Sequence, residues 1–315
     1  MPENSNSSGF RTSIGGQALI EGILMRGPHK QAIVCRTADG LVEKVEELKL
    51  IKDKYPILGM PFIRGVVTFL DSMIKGMEAL TYSADLVPIE EQGEPDKLDK
   101  WIEDHFEEEK AKKLIIAAAV VLGIALSLFL FIFLPTFVVG LIKPLREMYF
   151  LRNLSEGVLK VAILLAYMKF CSSVSDVKRL FSYHGAEHKT IFCYEHGKEL
   201  TVENVRTESR FHPRCGTSFL LVVVVVSILV NSVVLLSNTA ARIGCHLLLL
   251  PIVVGISYEI NRWCGRHDNA LSSALSAPGK WLQKMTTNEP DDGMIECAIR
   301  AMQLVIPEEK GADAW

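Results

Sequence analysis

The chain has no C-x-x-C pair, no Gly-Lys-Ser/Thr phosphate loop, no internal repeat and no excess of basic residues. Each absence excludes something. With 34 Lys and Arg against 37 Asp and Glu, the net charge of -3 provides no field for holding nucleic acid, so no nucleic-acid partner is expected. Seven scattered cysteines, an odd number, argue against a disulfide framework and for reduced thiols. The first residues lack a basic stretch followed by an apolar one, so no secretory signal is expected and the first membrane helix would direct insertion itself. What the chain has in quantity is apolar side chains. They make up 49% of it and are gathered into runs.

Leu114 to Ile142 carries no charge and exceeds the ~20 residues that a bilayer span needs. Pro135 within it is expected to kink the helix. Gly157 to Phe170 is shorter, with Lys160 and Lys169 placed to snorkel, and reads as a second span or as a re-entrant or interfacial helix. Phe219 to Leu236 is a third apolar run, and Ile243 to Tyr258, with Pro251, a fourth. Lys and Arg concentrate before the first run, between the second and third, and after the fourth. The positive-inside rule then places both termini in the cytoplasm, with the protein in the inner (plasma) membrane. The expected fold is an α-helical multi-pass membrane protein with about four transmembrane helices and a small α+β cytosolic N-terminal unit.

The expected organisation runs as follows. Residues 1–16 form a disordered N-terminus, and 17–85 a hairpin with an amphipathic helix. Residues 86–113 are an acidic linker, 114–171 a first transmembrane pair, and 172–215 a cytosolic loop. Residues 216–260 form the second pair and 261–315 a cytosolic tail with a helix near Asp291 to Leu304. Ala38-Asp39-Gly40 between two β-rich runs is a hairpin signal. From Pro61, apolar residues recur at helical spacing (Phe62, Val66, Phe69, Leu70, Met73, Ile74, Met77). That helix suits either the core of the cytosolic unit or the membrane surface.

Four constellations could carry chemistry. His184-Gly185-Ala186-Glu187-His188 is an H-x-x-E-H motif, in which two imidazoles on one helix face hold a metal and the carboxylate acts as base. His212-Pro213-Arg214-Cys215-Gly216 could complete the ligand set through His212 or Cys215. Glu259, Asn261, Arg262, His267, Asp268 and Asn269 follow the fourth run and could line a cavity with the first two. The segment 15–28 is rich in glycine, and its Glu21 and Arg26 could pair.

Gly15-Gly16-Gln17-Ala18-Leu19-Ile20-Glu21-Gly22 through Pro28, Tyr183-His184-Gly185-Ala186-Glu187-His188-Lys189, His212-Pro213-Arg214-Cys215-Gly216-Thr217-Ser218-Phe219 and Asn288-Glu289-Pro290-Asp291-Asp292 occur in that order. Together they resemble the signatures of the YqhQ-like membrane proteins. That family is of unknown function, and its members are labelled predicted metal-dependent enzymes. Two functions are therefore expected from the residues. One is a zinc-dependent hydrolase (or one using another divalent transition metal) at the cytoplasmic membrane face, with Glu187 as base and His184, His188, His212 and Cys215 as candidate ligands. The other is a non-catalytic membrane protein that binds a protein partner, for membrane-protein assembly or quality control, around a structural His/Cys site. A transporter ranks last, because the apolar runs offer few charges to build a pathway.

Overall fold

The computed structural model describes residues 10–48, 55–86, 108–267 and 269–315. Asp268, most of the acidic linker and the first nine residues of the N-terminus lie outside them. The chain forms two compact units. The first takes residues up to 87, 168–223 and 254–315; the second takes 88–167 and 224–253.

The first unit is built on an antiparallel sheet, β1 (Gly15–Leu19), β2 (Gly22–Arg26), β3 (Lys30–Thr37) and β4 (Gly40–Glu47), in sequential order. Thr37 pairs with Gly40 across Ala38-Asp39, as the turn signal predicts, and Gly40 takes a φ of 124°. Strands β2 and β3 are apolar on both faces, so both faces need cover. Ile23, Met25, Ala32 and Val34 pack with α6 (Ser175–Glu195) and α11 (Asp292–Val305). Leu24, Ile33 and Cys35 pack on Ala79 of α1 (Ile63–Asp85). This requirement explains the main departure from expectation. Residues 172–215 are not a loop but contain α6 and α7 (Val202–Arg206), and the tail contributes α10 (Ala270–Thr286) besides α11. All of these join the N-terminal strands in one body. Asp291 caps α11 through the Met294 N–H at 2.9 Å.

The second unit is helical. α2 (Glu108–Leu128) passes through a π-helical turn, Phe129–Phe133, into α3 (Leu134–Gly140), whose first turn accommodates Pro135. α4 (Lys143–Glu147) and most of α5 (Tyr149–Cys171) follow, and the chain breaks at 172–174 before α6 begins. α8 (Gly216–Asn231) and α9 (Thr239–Arg266) run through residues of both units.

Among the described residues two helices are long and apolar enough to cross a membrane, Leu114–Gly140 and Thr239–Arg266, and a third is counted if α5 with α6 is one broken span. α8, at 16 residues, ends before the predicted Leu236. Lys160 does not snorkel; it is buried, as are Arg152, Glu156 and Arg242. One Glu156 carboxylate oxygen accepts from Arg152 Nε at 3.2 Å and from Arg242 Nε at 3.0 Å. The remaining guanidinium nitrogens reach the carbonyls of Ser237 and Val234 and the Asn153 side chain. Arg152 and Arg242 read as loop cations in the sequence because α5 and α9 begin before their apolar runs do.

Candidate metal centre

The H-x-x-E-H residues sit on α6, one turn apart, so His184, Glu187 and His188 share a face. That face is buried. Gly185 allows this burial, because a side chain there would overlap the Asn288 carbonyl oxygen. The Asn-Glu-Pro-Asp-Asp segment closes over the helix at that point. The Asn288 N–H donates to the Phe181 carbonyl at 2.9 Å, and its side chain donates to the Lys178 carbonyl at 3.0 Å. Lys189 Nζ pairs with Glu289 at 2.8 Å.

Three possible ligand atoms converge, one each from His184, His188 and Cys215, all within 4.8 Å of one another. Cys215 comes from the turn just before α8, and its Sγ lies 3.1 Å from His184 Nε2. Both imidazoles are anchored through the other nitrogen. His184 Nδ1 is 2.8 Å from the Thr286 carbonyl, and His188 Nδ1 is 2.6 Å from the Arg210 carbonyl. Those contacts require Nδ1–H donors and, in the neutral ring, leave Nε2 as the lone-pair nitrogen, the arrangement that orients metal-ligating histidines. Among the described residues His188 Nε2 is buried with no hydrogen-bond partner, and so is the second oxygen of Glu187. The donor set and these unpartnered atoms fit a zinc-type ion with three protein ligands.

Electrostatics point the same way. Burial alone would lower the His184 pKa, but the adjacent Cys215 sulfur raises it to about 9. Burial raises Cys215, yet His184 and His188 outweigh it and hold the thiol well below its ordinary value. The pair is thus an imidazolium and a thiolate when no metal competes. Glu187 is shifted upward by burial, partly offset by the two imidazoles and by the Gly16 N–H that donates to it at 3.0 Å.

His212 stands outside the ligand group, although its ring centroid is 5.6 Å from that of His188. Its Nδ1 accepts the Arg214 N–H at 3.3 Å, and its Nε2 faces Glu195 at 3.6 Å. Burial is the main cause that lowers its pKa to about 4. Gln283 of α10 brackets it, accepting the His212 N–H at 2.8 Å and donating to its carbonyl at 2.7 Å.

The centre borders a cavity of about 1010 Å³, also lined by Gly16, Arg26, Arg64 and Arg262. The Arg262 Nε is buried and has no hydrogen-bond partner among the described residues. Glu21 and Arg26 do not pair with each other. Glu21 binds Arg179 and the Tyr183 hydroxyl (3.1 Å), whereas Arg26 binds Asp71 at 2.9 Å. Adjacent β-turn and strand-end positions point these two side chains to different neighbours. Glu259 does not line the cavity itself but holds Arg64, which does, at 2.7 Å. His267 stacks on Trp263, away from the cavity wall. Sequence reasoning missed the carbonyls of Thr286 and Arg210 and the Gly16 N–H, because backbone groups carry no residue-type signal.

The profile of the family described as "Protein of unknown function (DUF1385)" matches residues 60–308. "Uncharacterized protein YqhQ" of Bacillus subtilis (strain 168) is 33% identical over 294 residues, covering 91% of this chain and 90% of its own. No solved structure matches the chain. A profile that runs from the start of α1 to beyond α11, and a relative alike along nearly all of both lengths, make this chain a member of the DUF1385 family.

Proposed function

We propose that the protein is a metal-dependent hydrolase embedded in the inner membrane and working at its cytoplasmic face. The observation that carries the reading is the convergence of two anchored imidazoles and a thiolate beside a buried carboxylate with one unpartnered oxygen. Three protein ligands and an adjacent cavity suit a catalytic site better than a closed structural one, which takes four. A zinc ion held there supplies Lewis acidity and makes water acidic at neutral pH.

The chain's own residues supply the rest. Glu187, fixed through one oxygen by Gly16, keeps its other oxygen available to take a proton and later return it. Its upward shift brings its pKa closer to the working pH of a general base. The Thr286 and Arg210 carbonyls hold both imidazoles in the ligating tautomer. Arg262 offers a cationic edge to an anionic group in the cavity. The membrane reading is supported by the two long apolar helices, with α5 and α8 as the remaining spans of a four-helix arrangement that leaves both termini in the cytoplasm.

Elemental analysis of the full-length protein purified in detergent tests this reading. About one equivalent of zinc is expected, lost in His184→Ala with His188→Ala. A wild type devoid of transition metal overturns it. Glu187→Gln should retain metal and lose function in vivo. Retained function instead assigns the metal a structural role in a protein that binds partners.

A further inference from the structure

α1 and α10 are amphipathic in the opposite sense to helices of a soluble protein. α1 buries Gly65, Gly76, Ala79 and Ser83 and leaves Ile63, Leu70, Met73, Ile74 and Met77 exposed. Those exposed positions recur at helical spacing and form one stripe, with Ile74 61% exposed. On α10 Ser272, Ser276, Gly279 and Gln283 lie inside together with Leu282, and Leu271, Leu275 and Trp281 lie outside.

Each helix meets an apolar helix through a small residue. Gly65 of α1 lies against Gly255 and Tyr258 of α9, where any side chain on it would collide with Tyr258. The Phe69 ring is 6.0 Å from that of Phe219 in α8. Gly279 of α10 fits against Ser218, in the first turn of α8. Small residues allowing close backbone approach, with large apolar ones turned outward, are the pattern of helices that meet lipid rather than water. Basic residues border the outward face of α10, where Lys280 and Lys284 flank Trp281. Trp beside Lys is the composition of the headgroup level of a bilayer.

We propose that α1 and α10 lie in the plane of the membrane interface, with their large apolar faces in the acyl chains of one leaflet. α1 packs through Gly65 on Gly255 and Tyr258 of α9, a helix that is itself long and apolar enough to span, which singles out lipid over a soluble partner. The inward side of α1 carries Arg64, Thr68, Asp71 and Ser72 into the wall of the cavity. The cavity therefore has a lipid-embedded helix as one wall, and an amphiphile in the leaflet can reach it without crossing water. This inference concerns the surface and stands whether or not the cavity hydrolyses anything.

Fluorine NMR of the full-length protein labelled with fluorotryptophan, in nanodiscs of phosphatidylcholine and phosphatidylglycerol, tests it. Trp281→Phe identifies the α10 resonance, and Ile74→Trp adds one for α1. Both changes lie on exposed positions, so the fold is not at stake. Doxyl-labelled lipid is expected to broaden both resonances several-fold more than an aqueous gadolinium chelate does. Broadening by the chelate instead places the face in water. Protection from both agents places it under a second copy or another protein. Either result overturns the proposal.

Discussion

His184 carries a proton that a metal must displace. With a pKa raised to about 9 beside Cys215, it keeps its proton at neutral pH in the metal-free protein, whereas the two imidazoles hold the Cys215 thiol well below its ordinary range. Zinc binding at pH 7 should therefore release about one proton. Calorimetry in buffers of different ionisation enthalpy measures this, and release near zero would contradict the imidazolium–thiolate pair. His212 makes a different prediction. Its folded pKa of about 4 lies below the ordinary 6.5, so between those values the unfolded chain binds more protons than the folded one. Stability is then full above pH 6.5 and is lost as pH falls toward 4, by about 3 kcal/mol. Glu195, held low mainly by His212 and Arg214 against its burial, loses its contribution in the same direction at lower pH. Thermal melts of chelator-treated protein should show the decline, and His212→Gln should flatten its upper part.

At the level of single elements, α6 depends on the space around it. Gly185→Ala should cost about 1–3 kcal/mol through overpacking against the 286–290 segment and should reduce bound zinc, because the Thr286 carbonyl that orients His184 belongs to the same stretch. Unfolding midpoints and metal content check the two effects separately. In the other unit, Glu156 is shared by two buried guanidinium groups. Glu156→Gln leaves both without their carboxylate and should destabilise by about 3–5 kcal/mol, seen as a lower melting temperature in detergent. The β3–β4 hairpin, the apolar core of α2 and α9, and α11 with its Asp291 cap were legible in the sequence, because turn chemistry, hydropathy and capping are local signals. α7 and α10 were not legible. α7 is a single five-residue turn in a polar stretch, and α10 carries Ser and Gly on its inner face, contrary to the usual rule.

Across the whole molecule, what local reading missed was which distant segments meet. His184, His188 and Cys215 were legible as candidate ligands from residue type and spacing, and the fold brings them together. His212 offers the same chemistry a few residues from Cys215, and nothing in its own neighbourhood reveals that Arg214, Glu195 and Gln283 engage it instead. Glu259 and Glu21 were candidate cavity residues, yet their partners Arg64 and Arg179 are 195 and 158 positions away. Arg152 and Arg242 lie outside the apolar runs yet inside α5 and α9, because a hydropathy window sees only the apolar part of a helix, not where its hydrogen bonding begins.

The centre takes its imidazoles from α6, its sulfur from the turn before α8 and the carbonyl that orients His184 from the end of α10. A ribosome delivers those segments in that order, with the last arriving only after every apolar helix has been synthesised. A fragment that stops before that stretch has both imidazoles and the sulfur but not the carbonyl that fixes the His184 ring. A stop codon before residue 286 would leave His184 free to turn away from Cys215, with every ligand-capable side chain still in place.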